Sequence, residues 1–485
     1  MAVKSIVWFR QDLRVHDNPA LKAAAENGDI LPVYILDDAH AGQWSLGGAS
    51  KWWLHHSLTS LNKSLGHSLL VFSGDPFTIL NQLIEEYGCS SVVWNRCYEP
   101  WQIQRDTQIK GKLAEQHIHV QSFNGSLLWE PLSVLKNDGT PYRVFTPFYR
   151  KGCLVREAPR SPIMMPKAQR FISAHSIHQK NASDEGISAL QLLPTLGWDS
   201  EFSQHWQPGE TGAQSTLTRF VNDAALHYKS HRDFPNLQGT SRLSPHLHFG
   251  EISIHQIWYA IHQLAAEQQM SPFDNANLDC YLSELGWREF SYYLLYHFPY
   301  LPEQNHQPKF NAFPWESDAE RLAQWQYGQT GYPIIDAGMR ELWQTGYMHN
   351  RVRMIVASFL VKNLLIDWRL GQAWFWDCLL DADLASNAAS WQWVAGSGAD
   401  AAPYFRIFNP VTQGKKFDAE GDYVKRFVPE LAALPKKYIH EPWKASESEL
   451  SIFGIQYGKT YPKPMVDLSV SRKNALAAFE ICQNK

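Results

Sequence analysis

At 485 residues the chain is long enough for two or three domains and a large buried core. A net charge of −4 excludes a global basic field, so any nucleic-acid face must be a local patch. Six scattered cysteines without a CxxC pair argue against a disulfide framework or a cysteine zinc site and fit a reducing cytoplasm.

The N-terminus enters a strand directly, with no signal-peptide core. Apolar, β-rich runs at 5–9 and 31–36 bracket an amphipathic stretch at 19–26. Runs at 68–73 and 90–94 bracket a helical stretch at 76–87, and 119–123 adds a fifth strand. Strands alternating with helices at this spacing predict a parallel α/β domain over 1–130. It has no G-x-G-x-x-G fingerprint. Residues 131–205 are rich in proline, glycine and serine and read as a linker wrapped on the surface. From Ser215 the period becomes helical, which predicts an all-α domain over 206–485. The longest apolar helical run, 354–361, is too short to span a bilayer, so a soluble cytoplasmic protein is expected. Of 20 tryptophans, 13 lie from Trp198 onward, more indole than packing alone requires, which points to stacking or redox work.

Four constellations carry chemistry. In YKSHRDFPNLQGTSRLS, residues 228–244, Thr240, Ser241, Arg242 and Ser244 crowd around a glycine. Ser244-Pro245 reads as an N-cap with proline at the first helical position; hydroxyls, backbone N–H groups and a helix start make an anion site without a metal. The plain alternative is an ordinary capping turn. In SELGWREFS, residues 283–291, Glu284, Trp287 and Arg288 stand at i, i+3 and i+4 and line one helical face. A carboxylate beside an indole suits a flat, hydrogen-bonding ligand such as a pyrimidine; the alternative is a surface Glu–Arg pair beside a half-buried tryptophan. In MHNRVRM, Asn350, Arg351 and Arg353 precede an apolar helix, where an arginine pairs with a phosphate or a buried carboxylate. The fourth stretch, 381–418, holds Asp381, Asp383, Asn387, Trp391 and Trp393 within thirteen residues. On a helix Asp383, Asn387 and Trp391 share a face. A glycine-rich turn (Gly396, Gly398) and the aromatic segment Tyr404, Phe405, Arg406, Phe408 follow.

Taken in order, these motifs closely resemble the flavin-binding core of the DNA photolyase and cryptochrome family, and WFRQDLRVHDNPAL resembles its N-terminal signature. The resemblance runs from residue 3 to about 445. It implies a Rossmann-like antenna domain, a long linker and a helical FAD-binding domain, with FAD reduced in the active form. By resemblance Tyr228, Thr240, Ser241, Arg242, Leu243 and Ser244 contact FAD; so do Asp381, Ala382, Asp383 and Asn387, with Arg353 pairing Asp381 beside the ring. Lesion and DNA contacts fall to Arg232, Glu284, Trp287, Arg288, Asn350, Arg351, Met354, Trp393 and Gln413, with Lys415 and Lys416 near a phosphate. Trp391, Trp368 and Trp315 match the electron-transfer positions, so Glu284, Asn387 and these three tryptophans form the expected catalytic set.

The branch that repairs (6-4) lesions carries paired histidines where this chain has His349 and Asn350, which tilts the substrate toward the cyclobutane pyrimidine dimer. Tyr281 stands where some members carry a tryptophan near the flavin. Trp101 and Gln102 stand where a folate-binding subgroup has Asn and Glu, and Glu303 near that subgroup's lysine. The expected antenna is a reduced folate (5,10-methenyltetrahydrofolate), with a deazaflavin second. The reading is light-driven repair of UV-damaged DNA by a monomer with no metal, no membrane and no obligate protein partner. Its rivals are a non-repairing cryptochrome photoreceptor and a thermal flavin oxidoreductase. About forty residues follow Trp443, less than a signalling tail, and no second nucleotide fingerprint is present.

Overall fold

The computed structural model describes residues 3–165, 169–404 and 406–483, so Phe405 lies outside the described residues. The chain forms two compact units: Met1–Leu226 with Ser241–Pro299 and Leu380–Ala385, and His227–Thr240 with Tyr300–Leu379 and Ser386–Lys485.

The first unit is built on a parallel sheet of β1 (Val3–Phe9), β2 (Gly28–Leu36), β3 (Leu70–Ser73), β4 (Ser91–Asn95) and β5 (His119–Phe123), in the order β3-β2-β1-β4-β5. All five expected strands are present. β1 pairs on both sides, which is why Ile6, Val7, Trp8 and Phe9 are all apolar and fully buried. The crossover helix Pro19–Asn27 is capped by the Asn18 side chain, and Pro76–Tyr87 starts at the Asp75 cap and stops at left-handed Gly88. One face of the sheet packs Trp8, Val33, Ile35, Leu80, Val92 and Trp94 into a common core.

The stretch expected as a plain linker carries more structure than its composition suggests. Arg170–Phe171 forms a sixth strand, β6, pairing with β2 where β3 does not reach. Residues Pro147–Cys153 wind as a π-turn with Phe148, Tyr149 and Cys153 buried. That turn is fastened to the 22-residue helix Ala276–His297: Tyr149 Oη donates to the Leu282 carbonyl at 3.0 Å, and Arg150 pairs with Asp279 at 2.7 Å.

The second unit is helical. Its main helices are Pro333–Thr345, Asn350–Ser358, Trp368–Cys378, Pro410–Phe417, Leu468–Gln483 and, from its third residue, Leu384–Ala395. The apolar run after Asn350 does not stay α-helical; it passes through a π-turn, Phe359–Asn363, before the chain breaks ahead of Trp368. Among the described residues no helix is long and apolar enough to cross a membrane, and no group of three His, Cys, Asp or Glu side chains is arranged to hold a metal ion.

Candidate functional site

In the first unit the segment 241–244 departs from the expected cap. Helix Ser244–His248 begins one residue early, so Leu243 takes the cap position, Ser244 is the first helical residue and no side chain caps the turn. The reason lies one residue upstream, where Arg242 adopts a left-handed conformation (φ 55°) that costs a non-glycine residue energy. Its guanidinium lies 4.3 Å above the Trp206 ring. Buried Leu243 donates its N–H to the Ser241 hydroxyl at 3.4 Å, and the same hydroxyl bonds Tyr281, whose phenol burial pushes up and keeps neutral.

Asp383 ends just before helix Leu384–Ala395 rather than on it, so only Asn387 and Trp391 of the expected trio ride that helix. Its carboxylate accepts from Tyr292 Oη at 2.5 Å and lies 3.9 Å from His248 Nδ1. Burial alone would raise this carboxyl, but His248 and the Tyr292 hydroxyl outweigh it and hold Asp383 at about 2. A fixed anion results.

Helix Ala276–His297 carries Glu284, Trp287 and Arg288, as the spacing predicted. Glu284 and Trp287 are half-buried, and one face of Trp287 stacks on Phe145 at 3.9 Å and 12°. Phe145 stacks in turn on Tyr149 at 5.5 Å. Arg288, expected among the lesion contacts, donates to the Ser126 carbonyl at 2.8 Å and covers the Tyr292 ring at 4.6 Å. It braces the fold.

In the second unit Tyr228 is buried at the start of a short helix, with the Arg232 guanidinium 5.2 Å above its ring. Asn350 is exposed at the first position of helix Asn350–Ser358. His349 caps that helix by accepting the Arg351 N–H at 3.2 Å, which it can do because burial lowers its pKa to about 4 and leaves the ring neutral. Arg351 pairs with Asp233 at 2.8 Å over the Phe417 ring, and Arg353 donates to the Met348 carbonyl at 2.7 Å. Met354 follows it, half-buried. Gln413 is half-buried on helix Pro410–Phe417, where Lys415 is tied to Glu441 and exposed Lys416 lies over Phe417.

The three tryptophans, far apart in sequence, all lie in the second unit. Trp391 is buried edge-on to Phe375 at 5.0 Å, against the helix that Trp368 begins. Trp368 is fully buried and donates to Asn305 Oδ1 at 3.0 Å. Trp315 is half-exposed, and Glu316 beside it donates its N–H to the Leu365 carbonyl at 2.8 Å, three residues before Trp368. Exposure therefore falls from Trp315 to Trp368 and Trp391. Asn387 donates Nδ2 to the Gln372 carbonyl at 3.1 Å, so its amide polarity is set and Oδ1 is left to accept. Trp393, two residues beyond Trp391, is half-buried on another face.

The expected antenna loop is ordered around one carboxylate: Trp101 Nε1 donates to Glu99 Oε2 at 2.8 Å and Gln102 Nε2 to the same oxygen at 3.0 Å. Next to it, at the strand ends where doubly wound sheets take ligands, Arg10 and Arg105 lie 4.4 and 4.8 Å over Trp8 and pair with Asp106 and Asp37. Sequence reasoning missed Phe145, Tyr292 and His248, since nothing local to them reports a partner more than ninety residues away.

Comparison with known proteins gives a consistent result. A family model described as DNA photolyase matches residues 5–166, and one described as the FAD binding domain of DNA photolyase matches residues 281–481. The chain is 50% identical over 479 residues to a deoxyribodipyrimidine photo-lyase of Agrobacterium fabrum, covering 98% of this chain and 97% of that one. It is 38% identical to cryptochrome-2 of Arabidopsis thaliana, covering 98% of this chain and 78% of the plant protein. A crystal structure of a bacterial class III photolyase from Agrobacterium tumefaciens superposes with a TM-score of 0.92 at 48% identity, covering 100% and 98% of the two chains.

Proposed function

The chain belongs to the DNA photolyase family, and on that premise we propose that it repairs cyclobutane pyrimidine dimers in UV-damaged DNA in a light-driven reaction. When bound, reduced FAD supplies the photoexcited electron that opens the cyclobutane ring. The residues fit that group. Asn387 offers an acceptor of fixed polarity toward flavin N5–H, since its amide nitrogen is anchored by donating to the Gln372 carbonyl. Ser241, Arg242, Leu243 and Ser244, with Thr240 and Tyr228, hold the diphosphate side; the left-handed turn at Arg242 gives backbone N–H groups an orientation a regular helix start lacks. Asp383 is a permanent anion with Ala382 beside it, and both, with Asp381 and Arg353, are proposed flavin contacts.

The observation that carries the repair reading is the Trp287–Phe145–Tyr149 stack beside Glu284. It backs one indole face with a fixed aromatic, leaving the other for a flipped-out base, while Glu284 accepts from its N–H edge. A dimer pairs and stacks poorly, so extruding it costs less than extruding intact bases. Asn350, Met354 and Trp393 are proposed as further lesion contacts on the family resemblance. Arg232, Arg351, Gln413 and Lys416 face the DNA backbone, in a unit that holds 22 of the 44 Lys and Arg but only 19 of the 48 Asp and Glu. Trp391, Trp368 and Trp315 refill the flavin with electrons from an external reductant. The proposed antenna is a reduced folate ahead of a deazaflavin, held near Trp101, Gln102 and Glu99. We place the protein in the cytoplasm as a monomer.

Illuminated protein should clear dimers from a damaged oligonucleotide and leave them in the dark. Light-induced flavin chemistry without dimer loss would support the cryptochrome reading instead, and dark turnover with a nicotinamide the oxidoreductase one. The absorption spectrum of the purified protein distinguishes folate from deazaflavin.

A further inference from the structure

Gly371 lies three residues after Trp368 on helix Trp368–Cys378, so the two share a face. A Cβ built on it would stand 2.1 Å from Cη2 and 2.5 Å from Cζ3 of Trp391, and 2.7 Å from Cδ2 of Leu360. Its φ is not positive, so the glycine is there for space and not for backbone conformation. The outer edge of a buried indole rests directly on the helix backbone. The next residue, Gln372, gives its carbonyl to Asn387 Nδ2 at 3.1 Å, while its own Nε2 is held by the Pro302 carbonyl at 3.1 Å. Asn387 and Trp391 are one turn apart on helix Leu384–Ala395. A single close approach of two helices therefore serves both side chains.

We propose that Gly371 is a positioning residue: its bare backbone sets that approach, which seats the Trp391 indole against the Trp368 helix and fixes the Asn387 amide through the neighbouring carbonyl. This rests on the reading of Trp391 as the flavin-end tryptophan and of Asn387 as the amide facing flavin N5. Carbon atoms rest ~3.5–4.0 Å apart, so a methyl at 371 forces the ring back by roughly 1.4–1.9 Å. If the helices part instead, the Asn387–Gln372 bond leaves hydrogen-bonding range. Leu360 closes the remaining side, so the new methyl has no third way out. Alanine is the better helix former; a glycine with no packing role would gain stability from the replacement.

The test uses Gly371→Ala, Trp391→Phe and the double variant in the full chain. Thermal midpoints are measured for all, with light-driven reduction of oxidised FAD by external reductant and the flavin absorption spectrum. Phenylalanine lacks the two indole atoms that meet the new methyl. Gly371→Ala should therefore lower the midpoint beside Trp391 and leave or raise it beside Phe, a coupling that a double-mutant cycle reads directly. Gly371→Ala alone should slow photoreduction several-fold and shift the flavin spectrum. A variant too unstable to purify should be recovered by the second substitution. Equal destabilisation in both backgrounds, or a stabilised Gly371→Ala, overturns the proposal. If Trp391→Phe alone photoreduces normally, the underlying reading of Trp391 fails. If Trp391→Phe is blocked while Gly371→Ala reduces at the wild-type rate, the error lies in the role given to Gly371.

Discussion

Trp391 and Trp393 lie on one helix about 200° apart around its axis, so they cannot serve one ligand face. Trp391 is 2% exposed, between Phe375, Trp325 and Gly371, whereas Trp393 is half-buried. Trp391→Phe removes three ring atoms from a packed site. At ~0.8 kcal/mol per buried carbon the loss is about 2 kcal/mol, enough to lower the melting point by a few degrees without unfolding the chain. Phenyl is far harder to oxidise than indole. Light-driven reduction of oxidised FAD should stop, while enzyme reduced chemically in the dark should still repair if, as proposed, the repair electron does not pass through Trp391. Trp393→Leu should do the opposite. Base–aromatic stacking is worth ~1–3 kcal/mol per base, so dimer affinity should fall roughly five- to 150-fold with photoreduction kept. Both variants go through the same pair of assays, photoreduction and repair after pre-reduction. Normal photoreduction by Trp391→Phe, or loss of its repair after pre-reduction, would refute the division of labour.

Glu284→Ala should lower dimer affinity and repair per absorbed photon while retaining FAD; unchanged photon efficiency sinks that role. Asn387→Asp puts a titratable group where a neutral amide is fixed, so the flavin redox states that persist in light and air should change; spectra and reoxidation identical to wild type would move Asn387 away from N5. Phe145→Ala removes the backing of Trp287, and an aromatic pair worth ~0.5–1.5 kcal/mol predicts a two- to twelvefold weaker discrimination of damaged from undamaged oligonucleotide, measured by competition binding. Asp383 is held below its ordinary range, so its stabilisation is complete above about pH 4 and is lost as pH falls through about 2. Tyr292→Phe removes a hydrogen bond to that anion and should move the acid-unfolding midpoint upward; an unmoved midpoint shows that His248 alone suffices.

The central strands could be read from the sequence because a strand paired on both sides must be largely apolar, and 6–9 and 92–94 are. The helix bearing Glu284 and Trp287 was legible for a similar reason, as spacings of three and four have one geometric meaning. The cap at 244 was not, because Ser-Pro is a statistical start signal and the left-handed turn at Arg242 overrides it from two residues away. Asp383 was placed on the helix by counting in fours, but a period says which residues share a face and not where the first turn begins.

Arg288 marks a different limit. Its position on the helix face was right, yet a long side chain can fold back along its own helix, and the Ser126 carbonyl that captures it lies 162 residues away. Phe145 and Tyr149 were hidden by the proline, glycine and serine around them, a composition that describes how a segment travels and not what its aromatic residues touch. Gly286 and Gly371 make the same point from the other side. In sequence each is a weak spot in a helix; in space each is where a ring from elsewhere, Tyr149 or Trp391, meets backbone at a distance no side chain would permit. Local periodicity fixes the face a residue occupies, and the partner on that face is chosen by long-range packing. That choice separates an indole that merely fills the core from one that can relay an electron.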